Sequence, residues 1–220
     1  MIDVPTEQTT AATDVLLSVV AVALMVYLHR FRRLDPWKVA VWSWVAGLLA
    51  LGAALGSVVH GVRFSPATTR VLWQPLYLSL AFVVILVVVG AITDWRGRQT
   101  ARRFLPGLVV FPVLFWVVTF IGEFSYAAFV IFELPAMAFA LGVYLKLAVG
   151  RSFTGAWWMV AAIFLTIAAA AVQATGVVYV TVVWPFDHNG VFHLVQILAV
   201  GVLAIGLRLS FTSKMPGEHP

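Results

Sequence analysis

The sequence predicts an all-α protein whose seven helices cross a membrane as one bundle. Of its 220 residues, 62% are hydrophobic and only 10% are charged, whereas soluble domains are about half apolar and about a quarter charged. The apolar residues form continuous runs of roughly 20, the length that crosses about 30 Å of hydrocarbon as a helix. Alternating apolar and polar positions, typical of a membrane β-barrel, are absent from the sequence. This composition excludes a soluble enzyme, a disordered chain and a nucleic-acid-binding protein, despite the net charge of +5.

The charge-free runs divide the chain into seven spans that we assign to a single domain, residues 1–220. The first run, Val15–Leu28, is short, so Ala11–Asp14 must begin its helix. The run Ser152–Phe186 is longer than one span needs, and we expect its helix to end near Tyr179, before a loop at Trp184 and Pro185. The predicted helices are approximately 11–28, 39–61, 71–92, 105–122, 125–147, 155–179 and 188–209.

The distribution of basic residues predicts the orientation of the bundle. Of the 14 Lys and Arg residues, all but Arg63 and Arg70 fall in alternate loops or in the C-terminal tail. Basic residues accumulate on the cytoplasmic side of membrane proteins. We therefore expect the N-terminus outside, the C-terminus in the cytoplasm, and an integral multi-pass protein of the plasma membrane. The chain contains no Cys, which excludes disulfides and thiolate metal sites.

Polar residues gather at the predicted outer end of the bundle. Three of the five histidines map there: His60 ends the second helix, and His188 and His193 open the seventh. Asn189, His193 and Gln196 are spaced i, i+4, i+7 and form one polar stripe, which should face the bundle interior or water because lipid cannot satisfy it. The sequence thus predicts an outward-facing polar pocket. Its further candidate members are Ser57, Gln74, Tyr77, Glu123, Tyr126, Gln173 and Asp187.

Two interpretations of the histidines are open. Neutral imidazoles in a partly dry pocket suit Zn²⁺, and three of them would leave one coordination position for a water molecule. Alternatively, the histidines belong to a hydrogen-bonded network, and Asp187 is the N-cap of the seventh helix.

A carboxyl group inside the fifth helix is a separate candidate. Glu133 lies about two turns from the start of that helix, just before Pro135, and an ionisable residue at such depth is usually functional. The alternative is a protonated Glu133 that donates to a backbone carbonyl freed by the proline. In the second helix, Gly52 and Gly56 have the small-xxx-small spacing of a close helix-packing face.

The topology and two short stretches carry a resemblance to a known family. The stretches are Gly56–Gly61, with Ser57 and His60, and Asp187–His193, with His188. Together with the seven spans, they resemble the superfamily of alkaline ceramidases and progestin/adipoQ receptors, which are seven-helix membrane hydrolases. In that family the spacings are Ser-x3-His and His-x3-His, whereas two and four residues intervene here.

The resemblance implies an activity and a metal site. Zn²⁺ would be held by His60, His188 and His193. Ser57 and Asp187 would assist the metal-bound water that attacks a lipid amide or ester, and Glu123 is a further candidate to hold that water. The polar pocket would contain Gln74, Tyr77, Tyr126, Glu133, Gln173, Asn189 and Gln196.

Two classes of function follow from these observations. The first is a zinc-dependent membrane hydrolase that acts on a lipid at the outer pocket. The second is a non-catalytic binding or sensing protein, or a membrane subunit, that uses the same pocket for a small ligand, a lipid or a partner. We expect membrane lipids as partners and no nucleic acid, and the sequence is compatible with a protein partner or a homo-oligomer.

The predicted orientation can be tested by labelling, because the chain has no native Cys. Single cysteines introduced at Thr9 and at Gln99 should react with a membrane-impermeant thiol reagent from opposite faces of sealed cells. Thr9 should be labelled from outside and Gln99 only after permeabilisation. Labelling of both positions from one face would contradict the seven-span topology.

Overall fold

The computed structural model describes residues 2–122 and 126–212, and within this part the chain forms seven long helices. Each contains an apolar stretch long enough to cross a membrane. The prediction of an all-α fold with seven helices long and apolar enough to span a membrane is therefore confirmed. The helices are α1 Pro5–Leu28, α2 Pro36–Gly61, α3 Pro66–Arg96, α4 Arg98–Ile121, α5 Tyr126–Val149, α6 Ala156–Thr175 and α7 His188–Thr212.

The predicted ends of four helices are wrong. Helix α3 is longer than predicted at both ends, Pro66–Arg96 rather than 71–92, and α4 begins at Arg98 rather than near residue 105, because an apolar run marks only the part of a helix that can cross hydrocarbon. Helix α1 begins at Pro5 rather than near Ala11, since proline is well suited to the first position of a helix. Helix α6 stops at Thr175 and is followed by Gly176, whose φ of +64° is left-handed. The next residues, up to Val183, are mostly β-branched and favour extended backbone. A short hairpin forms there from β1 (Val180–Thr181) and β2 (Pro185–Phe186).

Six of the helices form a closed ring. Neighbours around it follow the order α1, α2, α3, α5, α6 and α7, and α7 packs back against α1. Helix α4 lies outside the ring against α3. It also reaches α5 through Phe115, whose ring stacks on that of Phe132 with centroids 4.6 Å apart. The ring leaves a cavity at its centre, and the candidate functional site lies there.

The predicted glycine packing face on α2 is confirmed, with a different partner at each glycine. Gly52 and Gly56 are both buried. A Cβ atom added at Gly52 would lie 3.3 Å from a methyl group of Leu80 on α3, and one added at Gly56 would lie 2.7 Å from the carboxylate of Asp14 on α1. Small residues let the backbone of α2 approach both neighbours closely.

A buried polar cluster joins α2, α3 and α5 at the end of the bundle where α2 begins. Lys38 Nζ lies 2.7 Å from Asp94 Oδ1, and the two side chains are only 2% and 5% exposed. The Tyr144 hydroxyl donates to Asp94 Oδ2 at 2.9 Å, and the Lys38 ammonium lies 4.4 Å from the ring centre of Phe153. Breaking a buried ion pair is costly, so this cluster fixes that end of the bundle.

Candidate functional site

A cavity of about 170 Å³ lies inside the six-helix ring, and α4 contributes nothing to its wall. Most of its lining is aliphatic or aromatic. We call the end of the bundle that carries His60 and His193 the histidine end. The polar or titratable lining residues come from α1, α2, α3, α5, α6 and α7: Asp14, His60, Tyr77, Glu133, Thr166, Gln173, His193 and Gln196.

The central polar contact of the site joins α1 to α7. Asp14 Oδ1 lies 3.2 Å from His193 Nε2, and the two side chains are only 4% and 8% exposed. The Thr13 hydroxyl lies 3.1 Å from His193 Nδ1 and within 2.9 Å of the Thr10 carbonyl oxygen. Because that hydroxyl has one proton and the carbonyl can only accept, Thr13 accepts from the Nδ1–H group of His193.

This arrangement determines how Asp14 and His193 share a proton. With Nδ1 protonated, a single proton lies between His193 Nε2 and the Asp14 carboxyl group. The pair is either a carboxylic acid with a neutral imidazole or a carboxylate with an imidazolium, and both forms keep the hydrogen bond. Asp14 Oδ2 has no hydrogen-bond partner in the described part of the chain and rests against Gly56.

A second acid–histidine pair lies closer to the surface of the histidine end. His60 Nδ1 lies 2.7 Å from Glu7 Oε2, and these side chains are 15% and 33% exposed. The His60 and Trp73 rings meet edge to face with centroids 5.7 Å apart, and the Trp73 ring stacks on that of Tyr77 at 5.4 Å. The pair therefore joins α1 to α2 beside an aromatic part of the cavity wall.

Asp187 is the N-cap of α7, as one of the two interpretations predicted. Its Oδ1 atom accepts from the backbone N–H groups of Asn189 at 3.0 Å and Gly190 at 2.9 Å. It also accepts from the Thr10 hydroxyl at 3.1 Å. One carboxylate oxygen thus satisfies the free donors at the helix start and ties α7 to α1.

Two amides complete the network on α6 and α7. Gln173 donates to the Asn189 side-chain oxygen at 3.0 Å, and Gln196 Nε2 lies 3.4 Å from the Thr166 hydroxyl. The Gln196 side-chain oxygen is buried without a partner among the described residues.

The predicted site residues divide into those that line the cavity and those that do not. His60, Tyr77, Glu133, Gln173, His193 and Gln196 line it. Ser57 does not line it and donates to the carbonyl oxygen of Ala54 on its own helix. His188 is the first residue of α7, and Gln74, Asp187 and Asn189 also lie outside the lining. Glu123 and the Tyr126 side chain fall outside the described residues.

The three predicted zinc ligands do not fit a common metal centre as they are placed. Both ring nitrogens of His193 already face protein partners, Asp14 and Thr13. His60 uses Nδ1 on Glu7, and His188 does not line the cavity. Within residues 2–122 and 126–212, no group of three or more His, Asp or Glu side chains is arranged to hold a metal ion. The zinc prediction gains no support from this donor set.

The predicted site does not include the two acids that pair with the histidines, Asp14 and Glu7. The apolar run alone puts Asp14 at the start of the first helix, where carboxylates are common. A signal was present nonetheless, because the buried face of α1 carries Thr10, Asp14, Leu17, Ala21, Leu24 and Leu28. These positions recur every three or four residues, as expected for one inward-facing helix face, and Asp14 lies on it.

The fold and the site define a class of protein: a seven-helix protein with the composition of a membrane protein and an internal cavity that is polar at one end. Over residues 9–210 the chain matches DUF6962, a family of unknown function, and it belongs to that family. Comparison with curated proteins and with solved structures gave no match.

We expect Asp14→Ala to destabilise the protein strongly, because it leaves His193 Nε2 buried without its partner. Removing one member of a buried pair costs about 3–5 kcal/mol, measured as the free energy of unfolding in mixed micelles. Asp3→Ala is the matched control, since its ion pair with Arg63 is exposed and should be worth no more than about 1 kcal/mol. Equal, small losses for both variants would contradict the buried pairing.

Proposed function

We propose that this protein is a membrane-embedded binding or sensing protein that takes a small, largely apolar ligand into the cavity of its six-helix ring. The observation that carries the proposal is the cavity itself, apolar over most of its wall and polar at the histidine end. Ligand sites are typically concave and mostly apolar, with a few polar groups that fix the orientation of the ligand. Here the polar groups nearest the Asp14–His193 pair would orient the polar end of the ligand.

The volume supports a small ligand. A cavity of about 150 Å³ in another protein holds a single benzene ring, and this one is about 170 Å³. One ring or a short alkyl chain with a polar group fills such a space. A lipid with two long acyl chains is much larger, so the size favours a binding protein over the lipid hydrolase implied by the resemblance.

The contacts of the histidines support the same choice. In a zinc hydrolase the imidazole nitrogens bind the metal, whereas here His60 and His193 bond to Glu7, Asp14 and Thr13. The Ser57 hydroxyl, which the family resemblance puts at the metal, bonds to its own helix. The hydrolase, its zinc ion and its lipid substrate therefore stay predictions with weaker support than ligand binding.

We place the histidine end outside the cell, in the plasma membrane, because the Lys and Arg residues concentrate at the opposite end. A ligand would then enter from the extracellular side or from the outer half of the bilayer. The exposed apolar side chains of all seven helices are what lipid contact requires, so they give no separate argument for a protein partner.

Saturable binding of a small neutral probe tests the proposal. Tritiated benzyl alcohol should bind the protein in lipid nanodiscs, after subtraction of its binding to protein-free discs. Ala53→Leu should abolish the saturable part, because Ala53 is buried and lines the cavity. Ala54→Leu is the matched control on the next residue of α2, which is exposed, and it should bind as the wild type does.

Absence of saturable binding to the wild-type protein would contradict the proposal. Equal loss of binding in the Ala53 and Ala54 variants would also contradict it, since the effect would then not come from filling the cavity. Circular dichroism of each variant before the assay confirms that it is folded.

A further inference from the structure

The cavity wall contains an acidic group, Glu133, that takes part in none of the polar contacts described above. Phe129, Glu133 and Met137 are spaced four residues apart on α5, and all three line the cavity. That spacing puts them on one helix face, so Glu133 faces the ring interior between two apolar neighbours. No described residue donates a hydrogen bond to the Glu133 carboxyl group. The predicted alternative, a structural role for Glu133 within its own helix, has no contact to support it in the described chain.

No cation in the described cavity wall balances the negative charge of a Glu133 carboxylate. Among the described lining residues there is no Lys or Arg. The two lining histidines each have an acid of their own: Glu7 for His60 and Asp14 for His193. Lys38, the buried cation of the bundle, is paired with Asp94. A carboxylate in an apolar cavity needs a cation to offset its loss of hydration, and the described wall does not provide one for Glu133.

The remaining features of the wall suit an organic cation. An ammonium group has hydrogen-bond donors only, and the buried side-chain oxygen of Gln196 is an acceptor without a donor among the described residues. Aromatic rings attract cations through their negative faces, and five aromatic side chains line the cavity: Trp42, Trp73, Tyr77, Phe129 and Phe192. The aliphatic part of the wall would hold the apolar body of the same ligand.

We propose, on the basis of the ligand-binding function above, that the ligand is a small amine with an apolar ring or chain, and that Glu133 is its counter-ion. The ammonium group would lie beside the Glu133 carboxylate and within reach of Gln196. The ring or chain would lie in the apolar part of the cavity. Asp14 would keep its hydrogen bond to His193. It would hold α1 in place and would not bind the amine.

Two probes of nearly the same shape test this inference: benzylamine, which is protonated at neutral pH, and benzyl alcohol, which is neutral. Binding of both is measured in nanodiscs of uncharged lipid, so that the membrane does not concentrate the cation. In the wild type, benzylamine should bind at least tenfold more tightly than benzyl alcohol. Glu133→Gln should weaken benzylamine binding at least tenfold and leave benzyl alcohol binding within twofold. The control Asp3→Asn removes an exposed acid that does not line the cavity and should change neither.

The outcomes separate this inference from the function on which it rests. If benzyl alcohol binds as tightly as benzylamine, or if Glu133→Gln binds benzylamine like the wild type, the amine proposal is wrong and the binding function stands. If neither probe binds the wild-type protein saturably, both proposals are wrong. Benzyl alcohol binding by Glu133→Gln also shows that the cavity of the variant is intact, so a loss specific to the amine is not a folding defect.

Discussion

The buried contact between Asp14 and His193 is the interaction on which the site depends, because it joins the first helix to the last. In a membrane there is little hydrophobic force between helices, and they associate through close packing and hydrogen bonds. The α1–α7 contact has three further polar links nearby: Thr13 to His193, Thr10 to Asp187, and the Thr9 hydroxyl to the Pro185 carbonyl oxygen at 2.7 Å. Together these contacts close the ring of six helices, whose inner faces form the wall of the cavity.

The bundle is fixed by polar groups near both ends and is mostly apolar between them. At the histidine end the acids on α1 bind histidines on α2 and α7. At the other end Lys38, Asp94 and Tyr144 join α2, α3 and α5. The polar contacts between helices are therefore concentrated near the two ends of the bundle. The cavity lies between these two groups of contacts. Glu133, without a partner in the described chain, lies in that space, which is why we assign it to a ligand rather than to the framework.

The fold could be predicted from the sequence because the length of each apolar run and the positions of the charged residues can be found within a single stretch of the chain. Each span is a continuous apolar segment, and the cap of α7 followed from Asp187 preceding a helical polar stripe. The end of α6 could not be predicted from apolarity alone, since residues 177–183 are mostly apolar but also mostly β-branched, and the chain forms the β1–β2 hairpin there instead of more helix. The site was only half predictable. His60 and His193 could be predicted because polar residues at the ends of apolar spans are costly to place in a membrane. Asp14 and Glu7 could not, because they belong to a polar N-terminal stretch and their partners are distant in sequence.

A double-mutant cycle between Asp14 and His193 tests most directly the claim that this pair closes the ring. The free energy of unfolding is measured in mixed micelles for the wild type, Asp14→Ala, His193→Ala and the double variant. We expect a coupling energy of about 2–3 kcal/mol, the upper part of the range for residues in direct contact, so that the loss in the double variant falls short of the sum of the two single losses by that amount. The same cycle between Asp14 and the exposed Arg63 should be additive to within about 0.5 kcal/mol. Additive losses for Asp14 and His193 would contradict the account, because the two side chains would then contribute independently and α1 would not be held to α7 through them.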